Sequence, residues 1–268
     1  MKKKYVHGYS DRETQRLQEQ SGILEELLHW DTAYPAASKV LEAGCGVGGQ
    51  TLLLARRNPE AEFTSIDISQ DSLDAAKEVI DKEGMSNVSF RQADIMDMPF
   101  TAEGFDHIFV CFVLEHLEEP VKALVELRTV LKTGGTITLI EGDHGSCFWH
   151  PETEESLRAW HSLIIAQAHL GHDPQVGRKL YPMMRQAGFT VKEVAPRWVY
   201  TDSNNPTLME GVLNKIIVPM TETAREQALE LGLVDEATFD RGIDDLRTSG
   251  MSPNGTFFYT WFKGVGVK

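Results

Sequence analysis

Cysteine is scarce, with three in 268 residues, widely spaced and odd in number. That excludes a disulfide framework and suits a reducing compartment. Long apolar runs are missing too, and none approaches the roughly 18–20 residues that span a bilayer. The opening MKKKYVHGYS carries a basic cluster with no apolar stretch behind it. No secretory leader is therefore expected, and a cytoplasmic location is. Positive charge is also short: 26 Lys and Arg stand against 40 Asp and Glu, a formal net charge of −14. Such a balance repels phosphate backbones, so neither a nucleic-acid nor a membrane partner is expected. There is no CxxC pair and no HExxH. The stretch GDHGSCFWH contains metal-ligand residue types without ligand spacing, and no metal is expected. Repeats and low-complexity tracts are absent. What remains is an ordinary globular profile, 41% hydrophobic and 25% charged, long enough for one substantial α/β domain with embellishments.

Glycine, by contrast, is concentrated. Lys39 to Thr51, KVLEAGCGVGGQT, opens as a short apolar strand, passes four glycines in six residues, and enters the helix-like LLLARR. A strand that feeds a glycine turn and then a helix N-terminus is a nucleotide-cofactor device, because glycines admit close backbone approach and the first helical N–H groups face the ligand. Gly44, Gly46 and Gly49 satisfy GxGxxG, with Asp67 roughly 20 residues on, as a dinucleotide site requires. Glu42, two positions before the first glycine, argues the other way. A carboxylate there repels a pyrophosphate but suits S-adenosylmethionine, which has no phosphate and carries an ammonium and a sulfonium.

Around this loop, strands and helices alternate. Expected strands are Lys39–Ala43, Glu62–Asp67, Asn87–Gln92, Phe105–Val113 and Thr136–Glu141. Expected helices are Gly48–Arg57, Asp71–Glu83 and Val121–Leu131, the last stopped by Lys132-Thr133-Gly134-Gly135. The unbroken apolar run FDHIFVCFV predicts a strand buried on both faces. Five such units imply a parallel, doubly wound Rossmann-like sheet with ligands beyond the carboxyl ends of its strands. A helix over residues 10–29, with Leu17, Ile23, Leu24, Leu27 and Leu28 on one face, precedes the sheet; Tyr9 and Arg16 are its candidate ligand contacts. Residues 142–151 read as a loop, 154–170, 177–187 and 206–249 as helical, and 188–200 and 255–265 as two late strands.

The wording EAGCGVG, Asp67, the ADI of Ala93–Ile95, and VLEHL occur in the order found in class I S-adenosylmethionine-dependent methyltransferases. Over residues 39–142 the chain resembles that family, and VLEHL is similar to its ubiquinone and menaquinone methyltransferases. The resemblance implies a seven-stranded, mostly parallel sheet with an antiparallel last strand. It implies one domain in which residues 1–35 form a helical lid, 36–145 a cofactor core, 146–187 and 201–250 a helical cap, and 188–200 and 255–268 the final strands. It implies S-adenosyl-L-methionine as cofactor, leaving as S-adenosyl-L-homocysteine. Glu42 and Gly44 would hold the methionine ammonium, with Cys45 and Gly46 continuing the wall. Asp67 would accept from the ribose hydroxyls and Ile68 would pack on the adenine. Asp94 would take the adenine amino group, with Ile95 offering its amide. Phe112 and Val113 would lie beside the sulfonium.

Two histidines are candidate bases, His116 beside the fourth strand and His144 after the fifth. The aromatic residues late in the chain, Trp149, Trp160, Trp198, Tyr181, Tyr200 and Trp261, suit a small aromatic or hydrophobic acceptor. A nicotinamide-dependent oxidoreductase, a non-catalytic S-adenosylmethionine-binding protein and a protein methyltransferase are the competing readings.

Overall fold

The computed structural model describes residues 24–268. Seven strands form one sheet: β1 (Lys39–Ala43), β2 (Glu62–Asp67), β3 (Val88–Gln92), β4 (Phe105–Cys111), β5 (Leu131–His150), β6 (Thr190–Asp202) and β7 (Thr256–Val267), in the order β3-β2-β1-β4-β5-β7-β6. The first five pair in parallel, and β7 runs antiparallel to both its neighbours. The expected sheet is therefore the observed one. Strand order reverses between β1 and β4, the switch point at which open α/β sheets leave a crevice.

The chain divides into two compact units. The sheet unit comprises residues 24–142, 176–197 and 261–268. In it, α1 (Gly49–Arg57), α2 (Gln70–Lys82), α3 (Pro120–Val130) and α5 (Leu180–Gln186) accompany the strands. Ser69 caps α2 by accepting from the Ser72 amide, and Pro120 stands in the first turn of α3, where its missing N–H costs nothing. Ile108, Phe109 and Val110 are all fully buried, so β4 is covered on both faces as its apolar run requires. Leu41, Ile108, Val110, Leu124, Leu127, Ile137 and Leu139 make the centre of this core, joined by Met183 and Met184. Residues 176–187, expected in the cap, thus pack with the sheet.

The other unit, residues 143–175 and 198–260 of the described chain, is mainly helical. It holds α4 (Glu154–His169), α6 (Pro206–Met209), a π-helical stretch (Glu210–Ile217), α7 (Val218–Glu222), α8 (Arg225–Glu230) and α9 (Glu236–Ser249). Thr153 and Ser156 form a capping box at the start of α4, and the Thr153 hydroxyl also reaches Asp245 on α9 at 2.7 Å. The two helices touch through Gly242, where an added Cβ would sit 2.2 Å from the Glu155 carbonyl oxygen and 2.8 Å from Ala159 Cβ. Gly242→Ala gains about 1 kcal/mol of helix propensity. Overpacking of up to about 3 kcal/mol outweighs it. A net loss of ~2 kcal/mol is expected in urea denaturation, and equal or greater stability would refute this packing.

Two expectations change. β5 does not stop at Glu141 but continues through His150, because Cys147 and Trp149 are buried while Phe148 and His150 face outward, the period of a strand rather than a loop. The Gly134-Gly135 pair does not stop a helix: α3 has already ended at Val130, and Leu131 pairs with Phe105. The glycines instead sit in the register shift that re-aligns Thr136 with His107. Of the helix expected over 10–29, residues 24–28 are helical with Leu24 and Leu28 buried, while Tyr9, Arg16, Leu17 and Ile23 lie outside the described residues. Among the described residues, no helix is long and apolar enough to cross a membrane.

Candidate functional site

The turn after β1 is tied to β2, because the amides of Gly44 and Cys45 both donate to the Ile66 carbonyl at 2.8 and 2.9 Å. Gly44 has φ +81°, and a Cβ there would lie 2.4 Å from Val113 Cγ2. Its absence lets the turn lie directly against the segment leaving β4. Gly46, φ +52°, is different: a Cβ on it would meet nothing within 4 Å among the described residues. Toward those residues the loop shows bare backbone, as a cofactor cradle requires. Cys45 is buried, and burial pushes its thiol well up, which suits a small filler and not a nucleophile.

Glu42, one residue before the end of β1, is 2% exposed. The β1–β2 register puts it opposite Ser65, whose hydroxyl donates to Oε2 at 2.6 Å; the Thr51 hydroxyl of α1 donates to the same oxygen at 2.7 Å. Burial raises its pKa to about 7 against the pull of these two bonds. Asp67, at the end of β2, spans the loop. Oδ2 accepts from the Gly46 amide and Oδ1 from the Ser69 amide, both at 2.9 Å. Burial raises its pKa as well. Ile68 beside it is 47% exposed, an apolar side chain left open at the strand tip. Asp94 Oδ1 accepts from the Met96 amide at 2.9 Å, and Ile95 is buried.

Beyond β4 the backbone is strained. Phe112 has φ +57°, a left-handed conformation that costs a bulky residue roughly 1–3 kcal/mol and gathers at functional sites. The turn Leu114–His116 that follows is pinned by Glu141 of β5, whose Oε1 accepts from the amides of Val113 and Leu114 at 3.0 and 2.9 Å. Glu141 is fully buried, and burial together with the neighbouring Glu115 carboxylate raises its pKa to about 8. His116 Nε2 lies 3.3 Å from Glu115 Oε1. The carboxyl ends of β1, β2 and β4 thus supply Glu42, Asp67 and Phe112, and Glu141, midway along β5, is bonded to the segment that leaves β4.

His144 belongs to the helical unit, where its Nδ1 pairs with the Tyr259 hydroxyl at 2.6 Å and its ring meets Trp160 edge-on at 5.5 Å. Burial lowers its pKa to about 4, so it is neutral at physiological pH. Asp143, next to it, accepts from the Gly145 amide and the Ser146 hydroxyl. Thr51 and Ser65 were not expected as site residues. A serine inside the apolar strand EFTSID was the available signal, since a buried hydroxyl needs a partner.

Residues 36–188, more than half of the chain, match the family described as "Methyltransferase domain". The chain belongs to that methyltransferase family. An uncharacterized methyltransferase of Schizosaccharomyces pombe is 33% identical over 177 residues, 61% of this chain and 62% of its own. A demethylmenaquinone methyltransferase of Staphylococcus aureus is 32% identical over 124 residues, 46% of this chain and 51% of its own. The match thus spans less than two-thirds of the length of either relative. Among solved structures, phosphoethanolamine N-methyltransferase 2 of Haemonchus contortus, in complex with phosphomonomethylethanolamine and S-adenosylhomocysteine, aligns with TM-score 0.55 at 17% identity, covering 93% of this chain and 52% of that one. At that identity the likeness is one of fold. The methyltransferase domain therefore carries its glycine loop in a methyl-transfer family, not in the oxidoreductase family that the spacing also permits.

Proposed function

We propose that this chain is an S-adenosylmethionine-dependent methyltransferase acting on a small aromatic or hydrophobic acceptor at an oxygen, nitrogen or carbon atom. The observation that carries the reading is the pairing of a buried carboxylate, Glu42, with a glycine loop that is bare at Gly46. Together they suit an ammonium-bearing ligand and disfavour a diphosphate. Bound there, the cofactor would supply a methyl group already activated by its sulfonium.

The protein's part is then to bind, orient and keep water out. Glu42, held by Thr51 and Ser65, and Gly44 receive the amino-acid end; Cys45 and Gly46 form the adjacent wall. Asp67, already bonded to the loop backbone, receives the ribose hydroxyls. Ile68, Asp94 and Ile95 frame the adenine, and Phe112 and Val113 border the reacting centre. Of the two candidate histidines, the geometry favours His116 as base. It takes the acceptor's proton as the methyl group moves, and the Glu115 carboxylate balances the charge the ring gains. His144 is enclosed by Tyr259 and Trp160 and suits packing better. The demethylmenaquinone methyltransferase relative makes a quinol-type acceptor the leading class.

Asp67→Ala and Glu42→Ala are each expected to weaken S-adenosylhomocysteine binding by about 1–3 kcal/mol, the scale for stranding buried partners. Unchanged affinity in both, measured by calorimetry, would contradict the assignment. Function itself is tested by incubating the protein with methyl-labelled cofactor and a panel of quinols and phenols. Transferred label lost in His116→Ala is the expected result. Cofactor binding without transfer to any acceptor, including a metabolite extract, would favour a non-catalytic binding protein.

A further inference from the structure

We propose that binding of the methyl donor is linked to proton release at Glu42. Before the ligand arrives the side chain is a neutral acid, and the ligand's ammonium displaces its proton to solvent. This rests on the donor assignment above and adds a property that the assignment does not require.

The surroundings of Glu42 supply hydroxyls but no counter-ion. Its neighbour in β2 is Ser65 and in β4 is Phe109. The Ser65 and Thr51 hydroxyls both bond Oε2, and neither uses Oε1. Among the described residues, the one charged group that acts on Glu42 is Asp67, a second acid across the glycine turn. Tyr34, Cys45 and Cys111 also lie in its field, and burial raises all three, so each stays neutral near pH 7. His29, bonded to Gln50 in the first turn of α1 at 2.6 Å, is kept neutral by burial as well.

A carboxylate enclosed without a cation loses its hydration and gains no ion pair in exchange, and a second acid opposes its ionisation further. Two neutral hydroxyl donors offset only part of that cost. Holding a proton removes the charge, and the group accordingly titrates at about 7. An ammonium at Oε1 reverses the balance. It brings the missing positive charge within hydrogen-bond range and favours the ionised form. The proton of Glu42 then passes to buffer, while the ammonium keeps its own three. Because the bound state holds fewer protons than the free one, affinity rises with pH and levels off above the titration of the free acid.

The test is calorimetric titration of the full chain with S-adenosylhomocysteine at pH 6, 7 and 8, each in two buffers of different ionisation enthalpy. Binding is expected to be about tenfold tighter at pH 8 than at pH 6. Release should be close to one proton per ligand at pH 6 and about a tenth of that at pH 8. 5′-Methylthioadenosine, which lacks the ammonium, should bind without releasing that proton. Asp67, Glu115, Glu141 and His116 are further titratable groups of the same unit, so the difference between the parent and Glu42→Gln isolates the Glu42 share. Glu42→Gln should bind more weakly and lose most of the release and of the pH dependence. Should that variant fail to fold, Thr51→Val and Ser65→Ala each remove a bond that favours the ionised form, and the midpoint of the pH dependence should move upward in both. Undiminished release in Glu42→Gln, equal release with methylthioadenosine, an unmoved midpoint in both hydroxyl variants, or affinity independent of pH would overturn the proposal and leave the donor assignment standing. Failure of S-adenosylhomocysteine to bind at any pH would overturn both.

Discussion

Gly44→Ala is expected to lose S-adenosylhomocysteine binding by at least thirtyfold and to melt lower than the parent. Two costs add. The residue sits at φ +81°, where a side chain costs about 1–2 kcal/mol. Its new Cβ would fall 2.4 Å from Val113 Cγ2, so the turn or the segment after β4 must shift. Overpacking of this kind costs about 1–3 kcal/mol. Either shift moves the loop that ties Asp67 to Gly46, and tenfold in affinity needs only about 1.4 kcal/mol. The double variant Gly44→Ala/Val113→Ala relieves the collision but not the backbone strain, so it should recover part of the stability and not all. Parental binding by Gly44→Ala would mean that the close approach of Gly44 to Val113 is not part of the site.

Stability is expected to fall as pH rises from 6.5 to 8. Glu42 and Glu141 have folded pKa values near 7 and 8, raised from 4.5 by burial, so the folded state holds protons that the unfolded chain releases. Their contribution is greatest at low pH and is lost as pH climbs through those values. His29 and His144 work in the opposite sense. Burial lowers both to about 4 from 6.5, so the stability they provide is present above 6.5 and lost as pH falls toward 4. Between about 4.5 and 6.5 two acids and two histidines oppose one another. Above 6.5 the acids act alone, and the expected loss is on the order of 2–3 kcal/mol by pH 8. Glu141→Gln keeps an oxygen for the amides of Val113 and Leu114 but cannot ionise, so it should remove most of that slope. Urea denaturation at pH 6.5, 7.25 and 8 reads this directly. A stability that rises over that interval, or a slope unchanged in Glu141→Gln, would contradict it.

The parts of the fold that could be read from the chain are those set by local pattern. The apolar run before the glycines, the acid closing EFTSID and the double burial of FDHIFV each need only a few neighbours to express themselves. The extension of β5 was hidden because Gly142, Gly145 and two histidines interrupt a period that only Cys147 and Trp149 keep. Likewise Glu42 could be placed at a strand tip, but not given its partners. Those come from strand register, which sets it opposite Ser65, and from the first turns of α1, which bring Thr51 to the same oxygen. His144 looked like a loop residue near the strand ends. Its neighbours Trp160 and Tyr259 are 16 and 115 residues away in the chain, and nothing local announces them.

One measurement bears on the donor most directly: equilibrium binding of S-adenosylhomocysteine and NADH to the unmodified chain, each in competition with the other. A buried acid at the tip of β1 predicts saturable S-adenosylhomocysteine binding that excess NADH does not displace. Tight NADH binding, with S-adenosylhomocysteine failing to compete, would contradict it.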